Sequence, residues 1–149
     1  MFPKTHIMAG AILSSLIFII FPEIGWFNAA IIFASSVLID FDHYLYYAVK
    51  KRDLSLKRAY NYFIRLRSCS LENKESNYKY PLLIFHGIEF CLFLLILSIF
   101  SNFFWWVFIG FVIHMLLDYL ETLILGRNIT FKLSQIYVLV RNKNKKDFK

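Results

Sequence analysis

Charge is scarce in this chain, and acidic charge scarcest of all. Only 18% of the 149 residues are charged, against about 25% in an ordinary soluble domain. Glycine (5), proline (3) and cysteine (2) are few as well. So few cysteines exclude a disulfide framework. So little glycine and proline excludes a collagen-like chain. Intrinsic disorder is excluded because hydrophobic residues make up 58%. What remains is apolar and aromatic, with 17 Phe, 9 Tyr and 3 Trp. The balance of the few charges is basic: 17 Lys+Arg against 10 Asp+Glu, net +7. Such a chain is either a nucleic-acid binder with an unusual core or a membrane protein with basic cytoplasmic faces. Its length suits one domain.

Four apolar segments favour the membrane. They run from about Ile7 to Phe21, from Ile24 to Ile39 with an interrupted continuation to Val49, from Leu82 to Phe100, and from Phe103 to Leu125. A span needs about 20 residues, and the first segment reaches that length only by taking in Lys4, Thr5 and His6. A secretory signal peptide fits this segment less well, because no small-x-small cleavage site precedes the second. Short turns at Pro22-Glu23 and Ser101-Asn102 join the segments in pairs. The expectation is an all-α, integral membrane four-helix bundle of two antiparallel transmembrane hairpins.

The basic residues set the orientation. Nine lie between Lys50 and Pro81 (Lys50, Lys51, Arg52, Lys57, Arg58, Arg65, Arg67, Lys74, Lys79), seven lie after Gly126, and Lys4 completes the 17. Neither tight turn holds one. All basic residues therefore fall on one side, which the positive-inside rule makes the cytoplasm. The expectation is four spans, N-in and C-in, in a cell or inner membrane. Trp26, Trp105 and Trp106 then lie at the outer interface. Residues 1–126 form the transmembrane domain with a cytoplasmic loop at about 50–81, and residues 127–149 form a basic cytoplasmic tail.

The loop predicts a basic amphipathic helix capped by Asp53. Leu56, Ala59/Tyr60, Phe63 and Leu66 lie on one face, and Lys57, Arg58, Asn61 and Arg65 on the other. Such a helix suits anionic phospholipid at the cytoplasmic face, or a solvated face packed on the bundle. Leu71–Lys79 reads as a polar loop. In the tail, alternating Ile129, Phe131 and Leu133 predict a short strand or interfacial segment, and Arg141–Lys149 a solvated basic end. No nucleic-acid partner is expected.

Ionisable groups inside a bilayer are costly and mark sites. The four His (His6, His43, His86, His114) belong to four different segments, accompanied by Asp40, Asp42, Glu89, Asp118 and Glu121. His6 and Asp40 lie 16 residues from the outer ends of their segments, and His86 and Asp118 lie 15. At ~1.5 Å per residue all four fall ~23 Å down. That is one layer near the cytoplasmic boundary. His43 and Glu121 lie about one turn nearer the cytosol, and His114 about one turn deeper. His114, Asp118 and Glu121 share a helix face at i, i+4, i+7.

A His/Asp layer from four helices can converge on a metal. The predicted ligands are His6, Asp40, Asp42, His43, His86, His114 and Asp118, with Glu89 or Glu121 as catalytic base or further ligand. Imidazole with carboxylate suits zinc first, and manganese or iron as alternatives. The number of ions stays open. The same layer would serve a non-enzymatic ion or proton carrier, or a structural membrane protein that packs its helices through polar groups. His-Glu-x-x-His, Gly-x-Ser-Gly and P-loop elements are absent.

Thr5-His6-x3-Gly10, Leu38-Ile39-Asp40-Phe41-Asp42-His43, Phe85-His86-Gly87-Ile88-Glu89 and Gly110-x3-His114-Met115-Leu116-Leu117-Asp118 together resemble the YdjM-type inner-membrane family. The likeness runs over roughly Thr5 to Gly126, in the family's motif order. It implies a membrane-bound, metal-dependent hydrolase in which metal-bound hydroxide attacks an ester or phosphoester, with a lipid headgroup as one candidate. The family is similar at a distance to zinc-dependent phospholipase C and zinc nucleases. The chain departs from the family's pattern around the third-segment His, where Phe85 precedes and Gly87 follows; Lys79 stands where an Arg is expected.

Overall fold

A computed structural model describes residues 3–71, 78–126, 129–143, 145 and 146. They form α1 (Pro3–Ile20), α2 (Gly25–Leu38), α3 (Phe41–Lys51), α4 (Leu56–Leu71), α5 (Ile88–Phe100), α6 (Asn102–Ile124), α7 (Thr130–Leu133) and α8 (Gln135–Asn142). No strand forms among the described residues. One isolated bridge joins Tyr78 to Lys146. The all-helical expectation holds.

The long helices begin where the sequence supplies stops and starts. Pro22 opens a single 3-10 turn, Pro22–Ile24, between α1 and α2. Its fixed φ and missing N–H suit the first position of such a turn. Ser101 caps α6 by accepting a hydrogen bond from the Phe103 amide at 3.3 Å. Both predicted tight turns are therefore present.

Helix α2 packs between α1 and α6, and glycines set how closely. A Cβ added at Gly110 of α6 would strike Ser35 Oγ and the Ile32 carbonyl of α2. A Cβ at Gly10 of α1 would strike Ser36 Oγ. The two helices thus approach α2 on its Ser35-Ser36 side, in the small-residue manner that suits bundles lacking a strong hydrophobic drive. Ser35 and Ser36 satisfy their hydroxyls within α2, on the Ile31 and Phe33 carbonyls at 2.8 Å. Ile39, Leu94, Phe111 and Met115 form the main apolar core.

Two helical runs are long and apolar enough to cross a membrane: Pro22–Lys51 and Asn102–Ile124. The apolar runs Lys4–Ile20 and Ile88–Phe100 are shorter. The third segment differs from its prediction. Its helix starts only at Ile88, and residues 82–87 form a turn. One tertiary and one local bond account for this: the Phe85 amide donates to Asp42 Oδ2 at 3.0 Å and the His86 amide to the Leu83 carbonyl at 2.9 Å. These amides are satisfied without a helix.

The Pro22–Lys51 run breaks at Ile39-Asp40. The amides of Asp40, Asp42 and His43 bond three residues back, at 3.2–3.3 Å. Such tight turns inside a helical run often mark a site. The break also places Asp42 in the first turn of α3, where the helix dipole favours a carboxylate.

Helix α4 forms as the loop predicts, with two corrections. Its cap is Ser55, whose Oγ accepts from the Arg58 amide at 3.4 Å. Asp53 lies further out and binds the Ser55 amide, the Tyr47 hydroxyl and Arg58. The buried face is Ala59 and Tyr62 with Phe63 and Leu66, packed on Tyr47 of α3. Leu56 and Tyr60 are exposed. The predicted polar loop lies largely in residues 72–77, outside the described residues.

The tail is helical rather than a strand. Ile129, Thr130 and Ser134 start two short helices, with Ser134 accepting from the Tyr137 amide at 3.2 Å. Local capping wins over the alternation of only three apolar residues. Arg141 and Asn142 belong to α8 rather than to a free end. Asn142 bonds both backbone groups of Tyr80, at 2.9 and 2.8 Å. Residues 144 and 147–149 lie outside the described residues.

Candidate metal centre

Two breaks in helical regularity and two helices build the centre. His6 sits in the first turn of α1. Asp40, Asp42 and His43 sit at the α2–α3 break. His86 sits on the turn before α5. His114 and Asp118 share one face of α6. His6, His86, His114, Asp42 and Asp118 are all buried. Asp40 and His43 form the more open edge, with side chains 21% and 31% exposed.

Their ligand atoms converge. His6 Nε2 lies 3.2 Å from Asp118 Oδ1. His86 Nε2 lies 3.2 Å from His114 Nε2. Asp40 Oδ1 faces three imidazoles, at 3.4 Å from His43 Nδ1 and 3.7 Å from both His86 Nε2 and His114 Nε2. Asp40 Oδ2 lies 3.9 Å from His6 Nε2, and Asp118 Oδ2 lies 3.8 Å from His86 Nε2. Ligands bound at roughly 2.0–2.2 Å around one ion stand about 3–3.5 Å from each other. Two sets therefore could hold an ion: His6, His114 and Asp118, and Asp40, His43 and His86, each with atoms within 4.8 Å.

The far sides of the rings fit the same use. His114 Nδ1 faces the Ser36 carbonyl at 2.7 Å. A carbonyl only accepts, so Nδ1 carries the proton and Nε2 offers its lone pair. His86 Nδ1 faces Asp42 Oδ2 at 3.0 Å, which likewise turns the Nε2 lone pair of the neutral ring inward. Ligating histidines are oriented in this way by a carbonyl or carboxylate behind them. Ring packing fixes the rest. His6 stacks on His114 with centroids 4.2 Å apart, and His43 meets His86 edge-on at 4.9 Å.

The residues fit a divalent ion on a further ground. His6 Nδ1, His6 Nε2, His43 Nδ1 and Asp42 Oδ1 are buried and make no well-directed hydrogen bond, although His6 Nε2 lies 3.2 Å from Asp118 Oδ1 and His43 Nδ1 lies 3.1 Å from Asp42 Oδ1. Orphaned buried polar atoms are rare and costly. Here all four belong to residues of one His/Asp cluster.

All seven predicted ligands are brought together, though not in one role. Asp42 stands behind His86, where its Oδ2 holds the ring nitrogen and the Phe85 amide. Its Oδ1 lies 3.1 Å from His43 Nδ1. Glu89 and Glu121 belong to neither set of converging atoms. Glu89 caps α8, accepting from Ser134 Oγ at 2.5 Å and from the amides of Gln135 and Ile136 at 3.1 and 3.2 Å. Glu121 pairs with Arg67 of α4 at 2.6 Å.

Sequence reasoning missed the tail. Lys132 of α7 places its Nζ 2.8 Å from Asp118 Oδ2. Gln135 of α8 donates to the His86 carbonyl and accepts from the Leu83 amide at 2.9 Å. The signal available was slight: a Ser-Gln pair opening an apolar run, and one lysine among seven basic tail residues. Lys79, by contrast, joins the tail through its backbone, its amide donating to the Lys146 carbonyl at 2.8 Å.

Comparison with protein-family models, curated proteins and solved structures finds no match to this chain.

Proposed function

We propose that this protein is a membrane-embedded, metal-dependent hydrolase that acts on an ester or phosphoester at the cytoplasmic end of its bundle. The observation that carries the reading is the convergence of four His and two Asp on one cluster, with the ring nitrogens behind His86 and His114 held by acceptors. Zinc is the first candidate, since the donors are imidazole and carboxylate. His6, His114 and Asp118 would hold one ion, and Asp40, His43 and His86 a second. A divalent ion there supplies a Lewis acid and activates water near neutral pH.

The chain's own residues do the rest. Asp42 holds His86 in its ligating orientation. The Ser36 carbonyl does the same for His114. Burial of five of the seven side chains excludes bulk water from most of the cluster. Substrate enters over Asp40 and His43, beside Phe63 of α4, whose ring lies 4.9 Å from that of His43.

The membrane setting rests on outward apolar surface. Ile99 and Phe100 are 79% exposed and Ile124 is 82% exposed. Apolar faces this continuous are not left in water. With all 17 basic residues on one side, the reading is four spans with both termini cytoplasmic. Helix α4 lies against the anionic leaflet. The short α5 spans together with the turn at 82–87 and a tilted, thinned boundary. A lipid headgroup at that leaflet is the natural candidate substrate.

The test is zinc binding and hydrolysis by detergent-purified protein. Bound zinc, with release of 4-nitrophenol from bis(4-nitrophenyl) phosphate that is lost in His86→Ala and Asp118→Ala, supports the reading. Folded protein that takes up no metal sinks it.

A further inference from the structure

Helix α7 brings an ammonium group to the edge of the metal cluster. Lys132 Nζ lies 2.8 Å from Asp118 Oδ2 and 3.4 Å from the Asp118 carbonyl. Its side chain is 24% exposed, whereas that of Asp118 is 4% exposed. Lys132 therefore stands between the buried ligands and the outside. Its position is built rather than incidental. Glu89 binds the first two amides of α8 and Ser134, and Gln135 bonds both the Leu83 amide and the His86 carbonyl. These contacts pin the tail two to four residues beyond Lys132.

The charges around the cluster give this lysine a purpose. Asp40, Asp42, Asp118 and Glu121 carry four negative charges, and Lys132 and Arg67 two positive ones. With both sets filled by divalent ions the positive charge would be in excess by two. That surplus would favour an anion beside the cluster. An ammonium beside a dication is repelled unless negative groups lie between them. Asp118 Oδ2 is one such group; the oxygens of a phosphoester would add another, whereas a neutral carboxylic ester would not.

We propose that Lys132 is a substrate-binding residue that recognises an anionic phosphoryl group, so that the centre is built for phosphoesters rather than carboxylic esters. The proposal rests on the metal-dependent reading above and narrows its substrate class. Lysine serves here as a point charge, a common use of this side chain in phosphate sites. The phosphoryl group could belong to a lipid headgroup or to a soluble phosphoester.

Binding of orthophosphate to full-length, zinc-loaded protein tests it, measured by calorimetry after zinc affinity has been determined for each variant. Lys132→Met should weaken phosphate binding by about 10- to 100-fold, the range expected for a lost charge-assisted hydrogen bond. Its zinc affinity should stay within a few-fold of the unaltered protein, and Lys132→Arg should keep most of the phosphate affinity. Phosphate binding unchanged in Lys132→Met overturns the proposal. So does a parallel loss of zinc affinity, which would make Lys132 a holder of Asp118 rather than a reader of substrate. Unaltered protein that binds no zinc overturns the metal reading itself, and this inference with it. Competition by short-chain phosphatidic acid against glycerol phosphate then separates a lipid from a soluble source.

Discussion

The Nε2 atoms of His86 and His114 face each other at 3.2 Å. In the neutral rings neither has a proton there to give. His86 is protonated on Nδ1 toward Asp42, and His114 on Nδ1 toward the Ser36 carbonyl. Two inward lone pairs at this distance repel each other unless a proton or a metal cation lies between them. Asp40 Oδ1, 3.7 Å from both atoms, adds a negative oxygen to the same spot. The arrangement makes sense as half of a metal centre.

Asp42→Asn should therefore weaken the metal without removing a ligand from it. Loss of the carboxylate behind a ligating histidine typically costs 10–100-fold in metal affinity. His86→Ala should cost more, because it removes a donor. Competition with a chromophoric zinc chelator measures both. Equal zinc affinity in Asp42→Asn and the unaltered protein would mean that Asp42 does not orient His86.

Metal should also hold the fold together, since its ligands come from α1, the α2–α3 break, the turn at 82–87 and α6. At a free zinc concentration 100 times the dissociation constant, stabilisation should be about 2.7 kcal/mol. A chelator should lower the thermal midpoint of detergent-solubilised protein, and zinc should restore it. His86→Ala, which leaves only the set His6, His114 and Asp118 intact, should show smaller responses.

Much of this centre was legible in the sequence, and the reason is arithmetic. Polar groups at matched depths in four apolar segments must meet if the segments pack side by side. His6, Asp40, His86 and Asp118 did so. Neighbours one turn away, His43 and His114, joined them because imidazoles reach across a turn. Glu121 did not join those ligand sets, because Arg67 claims it from α4. Glu89 is taken by the amides of α8. Both partners lie far away in the chain, and no periodicity announces them. The tail's role was illegible for the same reason. Lys132 and Gln135 act through the fold and not through a local pattern. The helical break at Ile39-Asp40 was hidden too, because tight bonds three residues back leave no mark on composition.

Close packing at Gly110 yields a stability prediction. Gly110→Val would force its side chain into Ser35 and the Ile32 carbonyl. Overpacking of this kind costs about 1–3 kcal/mol or more. Leu116→Val on the exposed side of the same helix should stay within about 0.5 kcal/mol. Thermal unfolding in detergent compares them. Equal midpoints would show that α2 and α6 do not meet at Gly110.

Asp53 gives a pH dependence outside the spans. The Tyr47 hydroxyl donates to Asp53 Oδ2 at 2.7 Å, and the Ser55 amide and Arg58 add to it. These donors hold the Asp53 carboxyl below its ordinary value, the Tyr47 bond first. A lowered folded pKa means stability that is present above the unfolded value of about 3.9 and lost as pH falls through the folded one. Protection against amide exchange in the first turn of α4, relative to the intrinsic rate at each pH, should fall below about pH 4. In Asp53→Asn protection should be lower at neutral pH and less dependent on acid. The same acid response in both proteins would remove Asp53 as its source.

The central claim is that the His/Asp cluster holds metal. The most direct measurement is anomalous diffraction at the zinc edge from crystals of the full-length protein grown with zinc. The account predicts anomalous peaks between His6, His114 and Asp118 and between Asp40, His43 and His86. Crystals that keep this side-chain arrangement but show no anomalous peak at the cluster would contradict it.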